Sequence, residues 1–248
     1  MQATKLFSTF VSVIALSSAV STVWANNDSI QPFLTLTGGM GLMQAGDPQT
    51  YNSSSGTNSY TYVPNKTYQP TGLYGATVGI EIPLTRNHTT LQLGVAFNQI
   101  NPYTIKGVNS ADSTLYNYQY NVSSQQVLAQ AKLLFTINDY YHPYLVASVG
   151  QSYNRSYSYQ TTQISNDINP NVTPSYADNR NTALSFSGTG FGVDVDVAKH
   201  VRAGIGYQLI DLGRTNLGAG KTVITIPYSL SQSHSFANEI VGQLTFIF

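Results

Sequence analysis

The chain reads as an all-β protein: an eight-stranded antiparallel up-and-down transmembrane β-barrel with long extracellular loops and short periplasmic turns. Three observations predict this fold. Segments of alternating apolar and polar residues recur along the chain. The connections between them alternate long and short. The closing stretch, residues 240–248, is itself such a segment and ends on Phe248. There Ile240, Leu244, Phe246 and Phe248 fall on one face of a period-two strand, and Glu239, Gln243 and Thr245 fall on the other. A soluble sheet has no need of an aromatic residue on the outer face of its last strand, whereas a barrel wall in a bilayer does.

Composition agrees. Only 9% of the 248 residues are charged and the net charge is zero, which leaves no basic footprint for nucleic acid. The absence of Cys removes disulfide scaffolds, thiolate metal sites and thiol nucleophiles, and no cofactor is expected. A mean hydropathy of -0.11 suits a wall in which only alternate residues meet lipid. Residues 1–25 read as an export signal, with Lys5 as the positive end, a mostly apolar run from Leu6 to Val20, and Val23-Trp24-Ala25 as the cleavage site. The run is interrupted by Ser12, Ser17 and Ser18 and falls short of the roughly 20 apolar residues of a spanning helix. Residues 26–248 are then the barrel domain.

The strands follow in order. The first runs over residues 33–42, with Leu34, Leu36, Gly38, Met40 and Leu42 on one face. Gly46-Asp47-Pro48 ends it, and Gln49 to Gln69 reads as a long polar loop rich in Tyr, Asn, Ser and Thr. The second sets Tyr74, Ala76, Val78, Ile80 and Ile82 against Gly75, Thr77, Gly79 and Glu81. After a short turn, the third sets Leu91, Leu93, Val95 and Phe97 against Gln92, Gly94, Ala96 and Asn98. Pairing Ile82 with Leu91 places Glu81 beside Gln92. A second long loop is expected from about Gln99 to Gln119. The fourth strand sets Val127, Ala129, Ala131, Leu133 and Phe135 against Gln126, Gln130, Lys132 and Thr136, then turns over Asn138 to Pro143. The fifth has Leu145, Ala147 and Val149 outward.

A third long loop is expected from about Tyr157 to Asn181. The sixth strand sets Phe191, Val193, Val195 and Val197 against Gly190, Gly192, Asp194 and Asp196. The seventh sets Val201, Ala203, Ile205, Tyr207 and Leu209 against Arg202, Gly204, Gly206 and Gln208. Pairing Val197 with Val201 puts Asp196 opposite Arg202. The fourth loop, roughly Asp211 to Gln232, holds a candidate extra strand at Thr222 to Tyr228. A β-sandwich would alternate too, but it explains neither the loop asymmetry nor the aromatic last residue.

The candidate functional residues are the inward charges Glu81, Lys132, Asp194, Asp196, Arg202 and Glu239. An eight-stranded lumen is just wide enough for side chains to fill, so charges there persist only if paired. They read as a structural ion-pair network or as a gated ion path; wide aqueous channels need about 16 strands. His234, between Ser233 and Ser235, invites a hydrolase reading. Strand neighbours point to opposite faces, however, and the orienting group that catalysis requires is missing, because Glu239 lies on the other face. No catalytic or metal residue is assigned. Tyr51, Tyr60, Tyr62, Tyr68, Tyr103, Tyr116, Tyr118, Tyr120, Tyr153, Tyr157 and Tyr159 cluster at loop bases or in loops. They fit an interfacial aromatic girdle first, and an extension of the barrel or a contact surface second.

Three stretches carry a resemblance: HPYLVASVGQSY from His142, GTGFGVDVDVAKHVRAGIGYQLIDLG from Gly188, and the final VGQLTFIF. They resemble strands five, six to seven and eight of small outer-membrane barrels of the OmpA-like and opacity-protein type. The resemblance implies a Gram-negative outer-membrane location and a non-enzymatic, structural role that presents surface loops for adhesion or ligand interaction. The competing expectation is porin-like transport of ions or small hydrophobic solutes through a narrow channel. Expected partners are outer-membrane lipids including lipopolysaccharide, the barrel-assembly machinery through the strand ending at Phe248, and a host or surface ligand at the loops. The family's periplasmic peptidoglycan-binding domain is not expected, since the sequence stops on the eighth strand.

Overall fold

A computed structural model of the chain describes residues 30–248 except 45, 53–58, 66–67, 86–88, 112–113, 165–174 and 221–228. The expected signal peptide, residues 1–25, and the candidate strand Thr222 to Tyr228 lie outside the described residues. The elements are β1 (Gln31–Met43), β2 (Gln49–Asn52), β3 (Ser59–Pro64), β4 (Gln69–Thr85), β5 (Thr89–Ala111), β6 (Thr114–Phe135), β7 (Tyr141–Gln163), β8 (Asn179–Ala198), β9 (Val201–Asp211), β10 (Thr215–Asn216), β11 (Ser231–Gln232) and β12 (Phe236–Ile247).

Eight of these close a ring. Each of β1, β4, β5, β6, β7, β8, β9 and β12 pairs antiparallel with the next, and β12 returns to β1 from Phe33↔Ile247 to Met43↔Ala237. Closure is what lets a sheet cross a bilayer, because no strand edge is left with unpaired N–H and C=O groups in hydrocarbon. The outward face carries the complementary feature: Leu36, Met40, Val95, Val127, Leu145, Val149, Leu184, Phe191, Ile205, Ile240 and Leu244 are all exposed. A continuous apolar belt of this kind has no place in water and is required in lipid.

The expected register holds at β4–β5, where Ile82 pairs with Leu91 and Glu81 with Gln92. At β8–β9, Asp196 opposes Arg202 as expected. The expected pairing of Val197 with Val201 does not form, because a bulge between Asp196 and Ala198 gives Val201 to Ala198 instead. An extra residue in one strand shifts the register beyond it without disturbing the pair before it. The β6–β7 turn is built on Asn138 and Asp139, both at positive φ (52° and 59°), a conformation these residue types tolerate.

The largest correction concerns the loops. β5, β6 and β7 are 23, 22 and 23 residues long, against the ~9–11 that cross a bilayer, so much of the expected loops Gln99–Gln119 and Tyr157–Asn181 is strand. The expected loop Gln49–Gln69 contains the β2–β3 hairpin, and β3 pairs with the upper part of β5 from Tyr60↔Ala111 to Pro64↔Gly107. It takes over from β4, whose pairing with β5 stops at Leu73↔Ile100. Two bulges mark the change of level. In β5, Asn101-Pro102 adds a residue between Ile100 and Tyr103 at a point where proline has no N–H to offer the ladder. In β7, Ser158 at φ 58° adds another, and its N–H donates to Asp178 Oδ1 at 3.0 Å. Each bulge inverts which residues face inward.

Candidate functional site

The inward charges assemble near the periplasmic end of the lumen. On β6, Lys132 alternates into the interior between Ala131 and Leu133; its Nζ lies 2.6 Å from Asp194 Oδ2 of β8, and the two residues are only 4% and 1% exposed. The ammonium also donates to Gln243 Oε1 at 2.8 Å and sits 3.9 Å above the Tyr144 ring. That shell of carboxylate, amide and aromatic face is what a buried ammonium requires. Arg202 of β9 forks between two carboxylates, with Nη1 2.7 Å from Glu81 Oε2 and Nε 3.0 Å from Asp196 Oδ1. Gln92 donates to Glu81 at 2.7 Å, as the cross-strand register requires.

Glycine makes the space. A methyl group at Gly204 would overlap the Asp194 carboxylate, and one at Gly206 would overlap the Tyr144 hydroxyl. Sequence reasoning placed His142 and Pro143 in a turn. The structure instead puts His142 inward in β7, its Nε2 3.0 Å from Asp196 Oδ2 and its Nδ1 3.1 Å from Thr136 Oγ1. The signal was available, since His142 and Tyr144 share the parity that faces away from Leu145.

Glu239 does not join this network. It stands four residues along β12 from Gln243, roughly 13 Å farther along the tilted strand. It is 1% exposed, with Oε2 accepting from Gln208 Nε2 at 2.8 Å and Oε1 without a partner among the described residues.

Above the membrane the interior changes character. Tyr60, Tyr62, Tyr103, Tyr116, Tyr118 and Tyr120 are buried inside the upper wall. Leu212, Leu217, Leu230 and Tyr176 join them from the third and fourth connections, and Tyr51 and Tyr159 pack at the margin. Tyr62 meets Tyr118 and Tyr176 edge-on at 5.5 and 6.0 Å between centroids, and the Tyr176 hydroxyl donates to that of Tyr62 at 2.9 Å. The expectation of a membrane girdle is therefore wrong for these residues. They alternate with polar neighbours on strands that have left the bilayer, and their rings point in. Tyr153 and Tyr68 are exposed. Burial pushes the Tyr176 hydroxyl up to about 12, and burial with neighbouring hydroxyls drives Tyr62 higher. Both hydroxyls are neutral throughout the physiological range.

His234 is an exposed residue at the rim. The structure supplies an orienting group that the sequence reading missed: Asp211 Oδ2 lies 2.7 Å from His234 Nδ1, brought there by the Phe236↔Asp211 register. Among the described residues no hydroxyl contacts the other ring nitrogen, and no cluster of metal ligands is present.

No protein-family model matches the chain, and no curated protein matches it. Among solved structures, it is similar to Neisserial surface protein A (13% identity, 88% of this chain and 97% of that one, TM-score 0.41). It is also similar to the outer membrane protein OprG from Pseudomonas aeruginosa (12%, 89% and 97%, TM-score 0.45) and to the outer membrane protease OmpT from Escherichia coli (8%, 90% and 98%, TM-score 0.43). The closed ring and the apolar belt stand without these likenesses, and they are the architecture of an outer-membrane β-barrel.

Proposed function

We propose that the protein is a non-conducting structural barrel of the Gram-negative outer membrane that carries a rigid extracellular head for surface binding. The observation that supports this reading is the tyrosine core, which fills the upper lumen and stiffens β5, β6 and β7 far beyond the bilayer. A head packed like a soluble domain presents its outward side chains in fixed positions, which lowers the entropic cost of engaging a partner. One such surface is a cleft of about 270 Å³ whose walls include Lys106, Asn117, Gln119 and Gln160, with Gln119 donating to Gln160 at 2.9 Å. Amide-rich walls of this kind suit a polar ligand such as a host glycan or peptide. The assembly machinery would engage β12, and outer-membrane lipids would cover the apolar belt.

The test is adhesion of cells displaying the protein. Replacing Asn117, Gln119 and Gln160 together by Ala is expected to abolish adhesion while the boiling-dependent gel shift of a closed barrel persists. Undiminished adhesion would remove this surface from the proposal.

A second reading, a narrow gated ion path, draws support from Glu239, a buried inward carboxylate with one oxygen unpartnered among the described residues. It requires a steady bilayer conductance that is lost on changing Lys132 or Arg202. Lipid turnover that vanished with His234→Ala would move the assignment to an enzyme.

A further inference from the structure

Arg155 of β7 and Arg180 of β8 are register partners on the outward face, and both are exposed. Like charges directly opposite across a strand pair destabilise it. In a chain with 11 cationic side chains, this pairing calls for a reason. Arg155 reaches Asp178 only at 3.9 Å and leans over the Tyr157 ring at 4.7 Å. Arg180 has no hydrogen bond or ion pair among the described residues. Asp178, itself exposed and held by the Ser158 N–H, leaves the pair with an excess of positive charge.

The row beneath completes a site. Gln99, Gln125, Tyr153 and Thr182 are successive register partners across β5, β6, β7 and β8, and with the two arginines they line a cleft of about 610 Å³. Gln125 donates to Gln99 at 2.9 Å. Beneath that row lies the top of the apolar belt, in which Phe97 pairs with Val127, and Leu184 lies in the same row through Gln151. Arg155 stands four residues above Gln151, about 13 Å along the strand and about 10 Å along the membrane normal for a tilt near 40°. The headgroup layer adds roughly 5–7 Å to the hydrocarbon on each side, so this row stands just above it, within side-chain reach of an outer-leaflet headgroup.

We infer that the Arg155–Arg180 pair binds a phosphate monoester, carried on the headgroup of an outer-leaflet glycolipid whose acyl chains lie against the belt below. Two guanidinium forks match phosphate oxygens with paired donors, and a dianion between them converts a repulsive pair into an attractive one. The inference rests on the outer-membrane placement, which cell fractionation and the gel shift check independently of any ligand.

The experiment uses the full chain in detergent micelles and reads lipid retention by native mass spectrometry. The probes are diphosphoryl lipid A, the same lipid dephosphorylated, and inorganic phosphate. Wild-type protein is expected to retain the phosphorylated lipid roughly tenfold better than the dephosphorylated form, and the Arg155→Gln/Arg180→Gln double variant is expected to lose that preference. The Arg155→Lys/Arg180→Lys variant should fall between, because it keeps the charge and loses the paired donors. Equal retention of the two lipids by wild type, or an unchanged preference in a double variant that still shows the gel shift, would overturn the inference. If the double variant does not fold, the wild-type comparison alone decides. Phosphate adducts that depend on the arginines without any lipid preference would keep the phosphate chemistry and contradict the lipid source.

Discussion

The same three strands, β5, β6 and β7, pass through two interiors that solve opposite problems. In the bilayer the wall is complete, so its backbone is satisfied by closure, and the interior holds ions: Lys132 with Asp194, and Arg202 with Glu81 and Asp196. Above the bilayer β1, β4, β8, β9 and β12 have ended, and the wall consists of β2, β3, β5, β6 and β7 with the third and fourth connections folded across the gap. An incomplete wall in water cannot be held by closure. It is held by burying apolar rings, as a soluble domain is, and the two bulges invert the inward face where one regime gives way to the other. The difference teaches that lipid outside permits a polar core, whereas water outside demands an apolar one.

The sharpest way to break the lower region is Lys132→Ala. It strands the Asp194 carboxylate in the lumen and should cost about 3–5 kcal/mol in denaturant unfolding, whereas a paired Lys132→Met/Asp194→Leu change should cost much less. Breaking the upper region should look different. Tyr62→Ala removes the ring at the centre of the cluster, a loss of about 3 kcal/mol that falls on the head alone. Proteolysis should then cut within β2–β3 while the gel shift of the barrel stays intact. Tyr62→Phe keeps the ring and loses only the Tyr176 hydrogen bond, for about 1 kcal/mol.

Alkali should separate the regions with the smallest effect at moderate pH. Burial raises the folded Tyr176 hydroxyl to about 12 from an ordinary 10.0, so its contribution is fully present below pH 10 and is lost as pH rises through 12. Phenolate absorbance and protease susceptibility of the head should rise together across that window. Simultaneous loss of the barrel's gel shift would show that the regions are coupled.

Much of the lower region was legible in the sequence because period two and lipid exposure act on the same residues. The alternation that marked Val127 to Phe135 as outward also marked Lys132 as inward, and the Glu81–Gln92 and Asp196–Arg202 pairs followed from register. The upper region was read as loop because its alternation is polar against tyrosine. Tyr116, Tyr118 and Tyr120 alternate with Asn117 and Gln119, but tyrosine is equally at home in a girdle, a loop or a core, and the Asn101-Pro102 bulge breaks the parity that would have carried the pattern upward. Asp211 was missed as the partner of His234 because the two are joined by the β9–β12 register and are far apart in sequence. Glu239 was grouped with the ion pairs by its face. Its height in the lumen depends on how far each strand is staggered, which face alone does not encode.

The most direct measurement of the closed lumen is single-channel recording of the purified protein in a planar bilayer. A lumen filled by the tyrosine core above and by ion pairs below should give no steady conductance in wild type. Sustained ohmic conductance through wild-type protein, reduced by replacing Lys132 or Arg202, would contradict closure and give the protein to the transport reading.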